Sequence, residues 1–168
     1  IQAAIRQGKR IVSDIEIFAR ESSGKIVAIT GSNGKSTVTD LTYQLLRASG
    51  ESVDIRGNFG IPVLDFLPAD NSEFYVLELS SFQLDITENL RPSVATILNI
   101  SEDHMDRYQG MADYREAKLR IFNNAQCAIV NREDKETYPD QTMPLLTFGL
   151  DNQEFGVSTI DSTEWLVD

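Results

Sequence analysis

The chain has 168 residues, a net charge of −11 and 41 % hydrophobic residues, enough for one domain with a sizeable core and too apolar for a disordered chain. Such acidity argues against general affinity for nucleic acid and leaves room only for a local cationic pocket, while no apolar run is long enough to span a membrane. Cys127 is the only cysteine, which excludes an internal disulfide, fits a reducing compartment and, within Cys127-Ala128-Ile129-Val130, reads as a buried core thiol.

Ile1 rather than Met opens the chain, and no targeting pattern is present, so the expectation is a piece of a longer protein. Ile1–Gly8 and Asp14–Glu21 read as flanking helical pieces. Lys25–Thr30 is an apolar strand, and Lys35–Ala48 is the strongest helix, with Val38, Leu41 and Leu45 on one stripe and Gly50 as its stop. Further strands are expected at Ser52–Ile55, Phe74–Leu79, Val94–Asn99, Ala128–Val130 and Leu145–Phe148. Gly57-Asn58-Phe59-Gly60 is a tight turn, Pro62 suits the first turn of a short helix through Leu67, and Met111–Asn123 is another helix. The acidic tail Asp151–Asp168 has the apolar residues of short strands. Strands alternating with helices predict an α/β fold, a mainly parallel sheet flanked by helices.

Gly31-Ser32-Asn33-Gly34-Lys35-Ser36-Thr37 lies between the first strand and the strongest helix. A Gly-rich turn there aims backbone N–H groups and the positive end of the helix dipole at one point, which favours phosphate. Lys35 supplies a mobile cation for outer phosphates, and the hydroxyl of Ser36 or Thr37 is a Mg²⁺ ligand in such loops. Ile29 stands where the common P-loop spacing needs glycine, so the loop is a variant nucleotide cradle.

Ligands of open α/β sheets collect at the carboxyl ends of strands, where Glu78 and His104 stand out beside the loop; Lys118, on the helix Met111–Asn123, is a third candidate. Glu78 closes an apolar run and fits a Mg²⁺ ligand; an acid on an exposed edge strand is the alternative. His104, the only histidine, sits among Glu102, Asp103 and Asp106, which suits a cation or a protonated imidazole as well as a solvated acidic turn. Lys118 falls near the centre of the apolar arc Met111, Tyr114, Ala117, Ile121 and Phe122, an arc that also contains Arg115. A lysine withdrawn from water has a lowered pKa and acts as a neutral nucleophile, even towards CO₂; a snorkelling lysine is the alternative.

Gly31–Thr37, the Gly57–Gly60 turn, Leu77-Glu78-Leu79-Ser80-Ser81-Phe82-Gln83-Leu84, Glu102-Asp103-His104-Met105-Asp106-Arg107-Tyr108 and Ala117-Lys118-Leu119-Arg120 occur in the order found in Mur ligases. The chain resembles that family from about Asp14 to Phe148, and the Leu77–Leu84 and Glu102–Tyr108 segments resemble its D-glutamate-adding branch. The resemblance implies a P-loop-like central ATP-binding domain at 23–168, truncated at its C-terminal end. It implies a lead-in at 1–22 from a UDP-binding domain, and an amino-acid-binding domain beyond the chain. It implies that Ser32, Asn33, Gly34, Lys35, Ser36, Thr37 and Val38 cradle ATP. Ser36 and Glu78 would hold one Mg²⁺, and His104 with a carbamylated Lys118 would hold a second. Asn58 and Ser80 would face the muramoyl substrate. The implied partners are UDP-N-acetylmuramoyl-L-alanine and D-glutamate, in a monomeric cytoplasmic enzyme that phosphorylates a carboxylate and then forms an amide.

Three other readings compete with this one. A P-loop kinase or nucleotide switch is disfavoured by the loop spacing, the His104–Lys118 pairing and the missing Asn-Lys-X-Asp motif. A sibling ligase adding another amino acid, and a nucleotide-binding module without chemistry of its own, are the alternatives that stand.

Overall fold

A computed structural model describes residues 2–59, 62–66 and 72–167. Helices α1 (Gln2–Arg6) and α2 (Asp14–Glu21) lead into strand β1 (Lys25–Thr30), followed by α3 (Lys35–Ala48) and β2 (Val53–Gly57). Strand β3 (Phe74–Glu78), α4 (Ser81–Asp85), β4 (Val94–Ile97) and α5 (Met111–Leu119) come next, and β5 (Ala128–Asn131) and β6 (Leu145–Phe148) complete a six-stranded sheet. Its order is β2-β3-β1-β4-β5-β6 and every pairing is parallel. The expected α/β class is what the chain adopts. The tail forms an antiparallel hairpin, β7 (Gly156–Ile160) with β8 (Thr163–Val167), as a separate two-stranded sheet.

Parallel strands buried on both faces read as continuous apolar runs, which is why β1, β3 and β4 were legible. On one face Ile26, Ala28, Tyr75, Leu77, Ala95 and Ile97 meet Ile15 and Phe18 of α2 and the Ile121-Phe122 pair. The Phe18 ring stands edge-on to Tyr75 at 5.1 Å between centroids. The alternate residues face α3, whose side is only partly covered: a groove of about 480 Å³ there is lined by Val27, Ile29, Val38, Val94, Thr96 and Ile129 among others.

Several expected boundaries shift for identifiable reasons. Strands β3 and β4 stop short of Leu79 and Asn99 as ladders, but the backbone continues: Leu79 N–H donates to Ile29 O and Leu98 N–H to Thr30 O, both at 2.9 Å. The second strand runs to Gly57, not Ile55, because Gly57 still pairs with Glu78. Helix Met111–Asn123 tightens to a 3₁₀ turn at Arg120–Phe122, and the turn after Pro62 is 3₁₀ over Val63–Phe66, Leu67 lying outside the described residues.

Two expectations are corrected. On α3 the stripe Leu41 and Leu45 is 52 % and 70 % exposed. The helix instead buries Thr39 and half-buries Val38, Thr42, Tyr43 and Leu46, because the sheet lies on the Thr39 side and turns Leu41 and Leu45, but not Val38, outward. Cys127 is half-buried rather than in the core, since it precedes β5 and only Ala128 and Val130 point inward.

Glu16, on α2, is 1 % exposed. Its carboxylate accepts from the N–H groups of Glu88 (2.8 Å) and Asn89 (2.9 Å), from the Asn89 side chain and from Arg20. Burial pushes the carboxyl up, but the Asn89 and Glu88 bonds with Arg20 outweigh it and hold it at about 2. A native pKa below the ordinary 4.5 contributes stability that is complete above that pH and lost as pH falls towards 2. Glu16→Gln is therefore expected to lower unfolding stability at pH 7 by about 2–3 kcal/mol. Denaturant titrations should show the gap closing between pH 4.5 and 2.

Candidate phosphate-loop site

The order β2-β3-β1-β4 puts the end of β1 between the ends of β3 and β4, the crevice where chain direction across the sheet reverses. Thr30 Oγ1 donates to Leu79 O at 2.7 Å and locks the ends of β1 and β3 together. The loop that follows is held from the β4 side. Ser32 N–H donates to Asn99 O at 3.0 Å, and Asn33 N–H to Asn99 Oδ1 at 2.9 Å. Ser32 Oγ bonds Ser101 O and N at 3.0 and 2.9 Å, and Asn33 Nδ2 donates to Ser101 Oγ at 3.1 Å. Gly34 takes φ +77° at the N-cap of α3, a left-handed conformation that suits glycine. The predicted loop residues thus lie in one turn, with Ser32 buried, Lys35 half-buried, and Asn33, Ser36 and Thr37 exposed. Sequence reading did not single out Asn99 and Ser101 as its braces. Their polarity directly after an apolar strand was the available signal.

Two lysines converge on this turn. Lys35 Nζ donates to Gly31 O at 2.9 Å and to Ser32 O at 3.0 Å. Lys118, 1 % exposed, reaches the same Gly31 oxygen from α5 at 2.8 Å. Beneath it lies the Tyr114 ring, 4.6 Å from Nζ, with its hydroxyl 3.2 Å from Ser32 Oγ. Burial pulls the Lys118 pKa down, the nearby Lys35 charge pulls it further, and Asp103 offsets part of this, leaving it at about 7. At neutral pH a sizeable share of Lys118 is a free amine. The apolar arc was correctly read around it, and the arc's other cation, Arg115, escapes by pairing with Asp140 at 3.0 Å and Glu136 at 3.1 Å.

Glu78 forms the second part of the site. It is 2 % exposed, on an interior strand and not at an edge, and in register with Ile29 beside the start of the loop. Oε1 accepts from Asn58 Nδ2 at 3.0 Å, and Oε2 has no hydrogen-bond partner in the structure. Gly57 permits this approach: its φ is +107°, and a Cβ there would sit 2.1 Å from Glu78 O. Asn58 N–H also donates to Glu78 O at 2.8 Å, so the turn is pinned to the acid it faces.

Two predicted residues stand apart from those clusters. His104 is half-exposed at φ +55°, with Nε2 3.5 Å from Asp103 Oδ2 and its ring against Phe82; it has no hydrogen bond or ion pair with Lys118. Ser80 caps α4 in a capping box with Gln83, which engages its hydroxyl locally. Among the described residues no cluster of three or more His, Cys, Asp or Glu side chains is placed to hold a metal ion. The fit for Mg²⁺ rests on one open valence: a buried carboxylate oxygen without a donor suits a hard cation that takes oxygen ligands, keeps waters and bridges phosphates.

A doubly wound α/β domain with a phosphate-type loop at its switch point is the class that this fold and site define. The family model described as the Mur ligase middle domain matches residues 29–166, and the chain belongs to that family. It is 67 % identical over 168 residues to a UDP-N-acetylmuramoylalanine–D-glutamate ligase of Vibrio atlanticus (strain LGP32), and 55 % identical over 168 to the enzyme of that name from Vibrio parahaemolyticus. All of this chain is covered in both matches, but only 38 % of either relative. Among solved structures it is similar to MurF from Acinetobacter baumannii, with a TM-score of 0.61 and 26 % identity, covering 79 % of this chain and 32 % of that one.

A buried ammonium whose native pKa lies below 10.5 is a penalty borne in full below about pH 7, which fades as pH rises towards 10.5. Lys118→Met is therefore expected to raise unfolding stability at pH 6 by a few kcal/mol, with the gain shrinking as pH rises to 10. Chemical denaturation across that range checks the sign, and a destabilised variant at pH 6 would contradict it.

Proposed function

We propose that this chain is the ATP-binding middle domain of the ligase that adds D-glutamate to UDP-N-acetylmuramoyl-L-alanine in peptidoglycan synthesis. The observation that carries this reading is the convergence of Lys35 and Lys118 on Gly31 O, beside a buried Glu78 with an open oxygen. The 67 % identity with a D-glutamate-adding enzyme supports the choice of amino acid.

The chemical problem is that a carboxylate is a poor electrophile and repels the triphosphate it must attack. In the proposed reaction a carboxylate oxygen of the muramoyl-alanine substrate bonds to the γ-phosphorus and the bridge to the β-phosphate breaks, releasing ADP. The amino nitrogen of D-glutamate then bonds to the acyl carbon, loses a proton, and inorganic phosphate leaves. Catalysis is mainly positioning and charge neutralisation. The N–H groups of Ser32–Val38 line the phosphate path, and Lys35 exchanges its backbone acceptors for outer phosphate oxygens. Ser36 and Glu78 would hold one Mg²⁺, and His104 and Lys118 a second. When bound, these ions would neutralise the charge of the transferring phosphoryl group. As an ammonium Lys118 repels a cation, so the second role needs its amine carbamylated by CO₂; its burial and lowered pKa favour that reaction. Asn58 and Ser80 face the muramoyl side. No helix among the described residues is long and apolar enough to cross a membrane; the nucleotide-linked substrates of this reading point to the cytoplasm.

In the full-length ligase, ADP release is expected only with both UDP-N-acetylmuramoyl-L-alanine and D-glutamate present. A coupled ADP assay across a panel of amino acids tests this, and turnover that ignores either substrate would refute the assignment. Glu78→Gln and Lys118→Ala are each expected to lower kcat/KM by about 100-fold or more.

A further inference from the structure

We infer that Phe82 is a positioning residue, the wall that fixes His104 and its loop against α4. This rests on the proposed role of His104. Phe82 is half-buried in the first turn of α4, four residues after Glu78, and its backbone is fixed by the Ser80–Gln83 capping box. Its ring meets three residues of one loop: His104 at 4.9 Å between centroids, Tyr108 in a parallel stack at 5.9 Å, and the Arg107 guanidinium at 4.9 Å. Tyr108 is held in turn, its hydroxyl donating to Asp85 Oδ2 at 3.1 Å and its ring lying 5.2 Å from Tyr114. The aromatic path thus runs from the helix after the Glu78 strand, through the His104 loop, to the ring under Lys118.

Such a path is needed because the loop holds little else. His104 sits at φ +55°, a left-handed conformation that is unfavourable for a non-glycine residue and persists where surroundings over-determine it. Its own bonds are local: its N–H donates to Asp103 Oδ1 at 2.9 Å and its carbonyl accepts from Arg107 N–H at 2.9 Å. Those contacts shape the turn without fixing where it lies. Phe82, together with the Tyr108 hydroxyl that reaches Asp85 and Ser81, ties the turn to α4. Without the ring at 82, the imidazole would keep its turn and lose its place.

His104 is followed by NMR of the full-length protein, its imidazole signal assigned by its loss in His104→Gln. In the native chain that signal is expected to be displaced from the free-imidazole position by the Phe82 ring, and to be broadened by added Mn²⁺-ADP. Phe82→Leu should move it towards the free position and reduce the broadening; Phe82→Tyr, which keeps the stack, should restore both. Tyr108→Phe, which keeps the stack and removes the hydroxyl that reaches Asp85 and Ser81, should give an intermediate result if Phe82→Leu fails to fold. An unmoved His104 signal in folded Phe82→Leu, or in Tyr108→Phe when the leucine variant does not fold, overturns the inference. If Mn²⁺-ADP leaves the native signal sharp, the metal role proposed for His104 falls, while the nuclear Overhauser contact between His104 and the side chain at 82, expected in the native protein and lost in Phe82→Leu, still decides the positioning by Phe82.

Discussion

Two lysine side chains donating to one carbonyl oxygen set the terms for the rest of this domain. Gly31 O has two lone pairs, and Lys35 and Lys118 use both. Lys35 comes from the adjoining helix at little cost. Lys118 comes from 87 residues along the chain, so its arrival requires α5 to dock with Tyr114, Ala117, Ile121 and Phe122 buried. Placing like charges together in a dry site is unfavourable, as the lowered Lys118 pKa records. The arrangement is a concentration of positive charge that an anionic ligand relieves.

The two buried carboxylates show how the same physics separates structure from chemistry. Glu16 is surrounded by donors from Asn89, Glu88 and Arg20, and nothing remains for a ligand. Glu78 is as deeply buried, yet only one of its oxygens is partnered. An unsatisfied buried oxygen costs stability, so its persistence beside a phosphate-type loop points to a partner that arrives with the ligand. Hydrogen-bond saturation, more than burial, divides the acid that holds the fold from the acid proposed to take a ligand.

Much of this was legible in the sequence wherever one local pattern controlled the outcome. Apolar runs located the parallel strands, and the Gly-rich loop was read because backbone geometry there demands particular residues at Gly31 and Gly34. The Lys118 arc was readable because helical period and burial agree. Prediction failed where long-range packing decided between equal local options. Val38, Leu41 and Leu45 form a valid helical stripe, but the sheet lies on the Thr39 side. Glu16 looks like an ordinary first-turn acid, since its Glu88 and Asn89 donors lie more than 70 residues away. Cys127 looked interior from its apolar neighbours, but the strand starts one residue later.

The parallel topology explains why residues so far apart meet at all. Strands β1, β3 and β4 are neighbours and point the same way, so the loops leaving them emerge at one edge. The first carries the phosphate-type turn, the second delivers Glu78 and then α4, and the third carries the Asp103–Tyr108 loop. Hydrogen bonds cross between the first and third through Asn99 and Ser101, and between the ends of β1 and β3 through Thr30. Between the second and third loops the aromatic side chains of Phe82 and Tyr108 and the Asp85 bond make the tie. Exposed loops need such cross-ties because main-chain pairing stops where the strands do. Precision at the site therefore depends on side chains that no strand or helix would have required for its own sake.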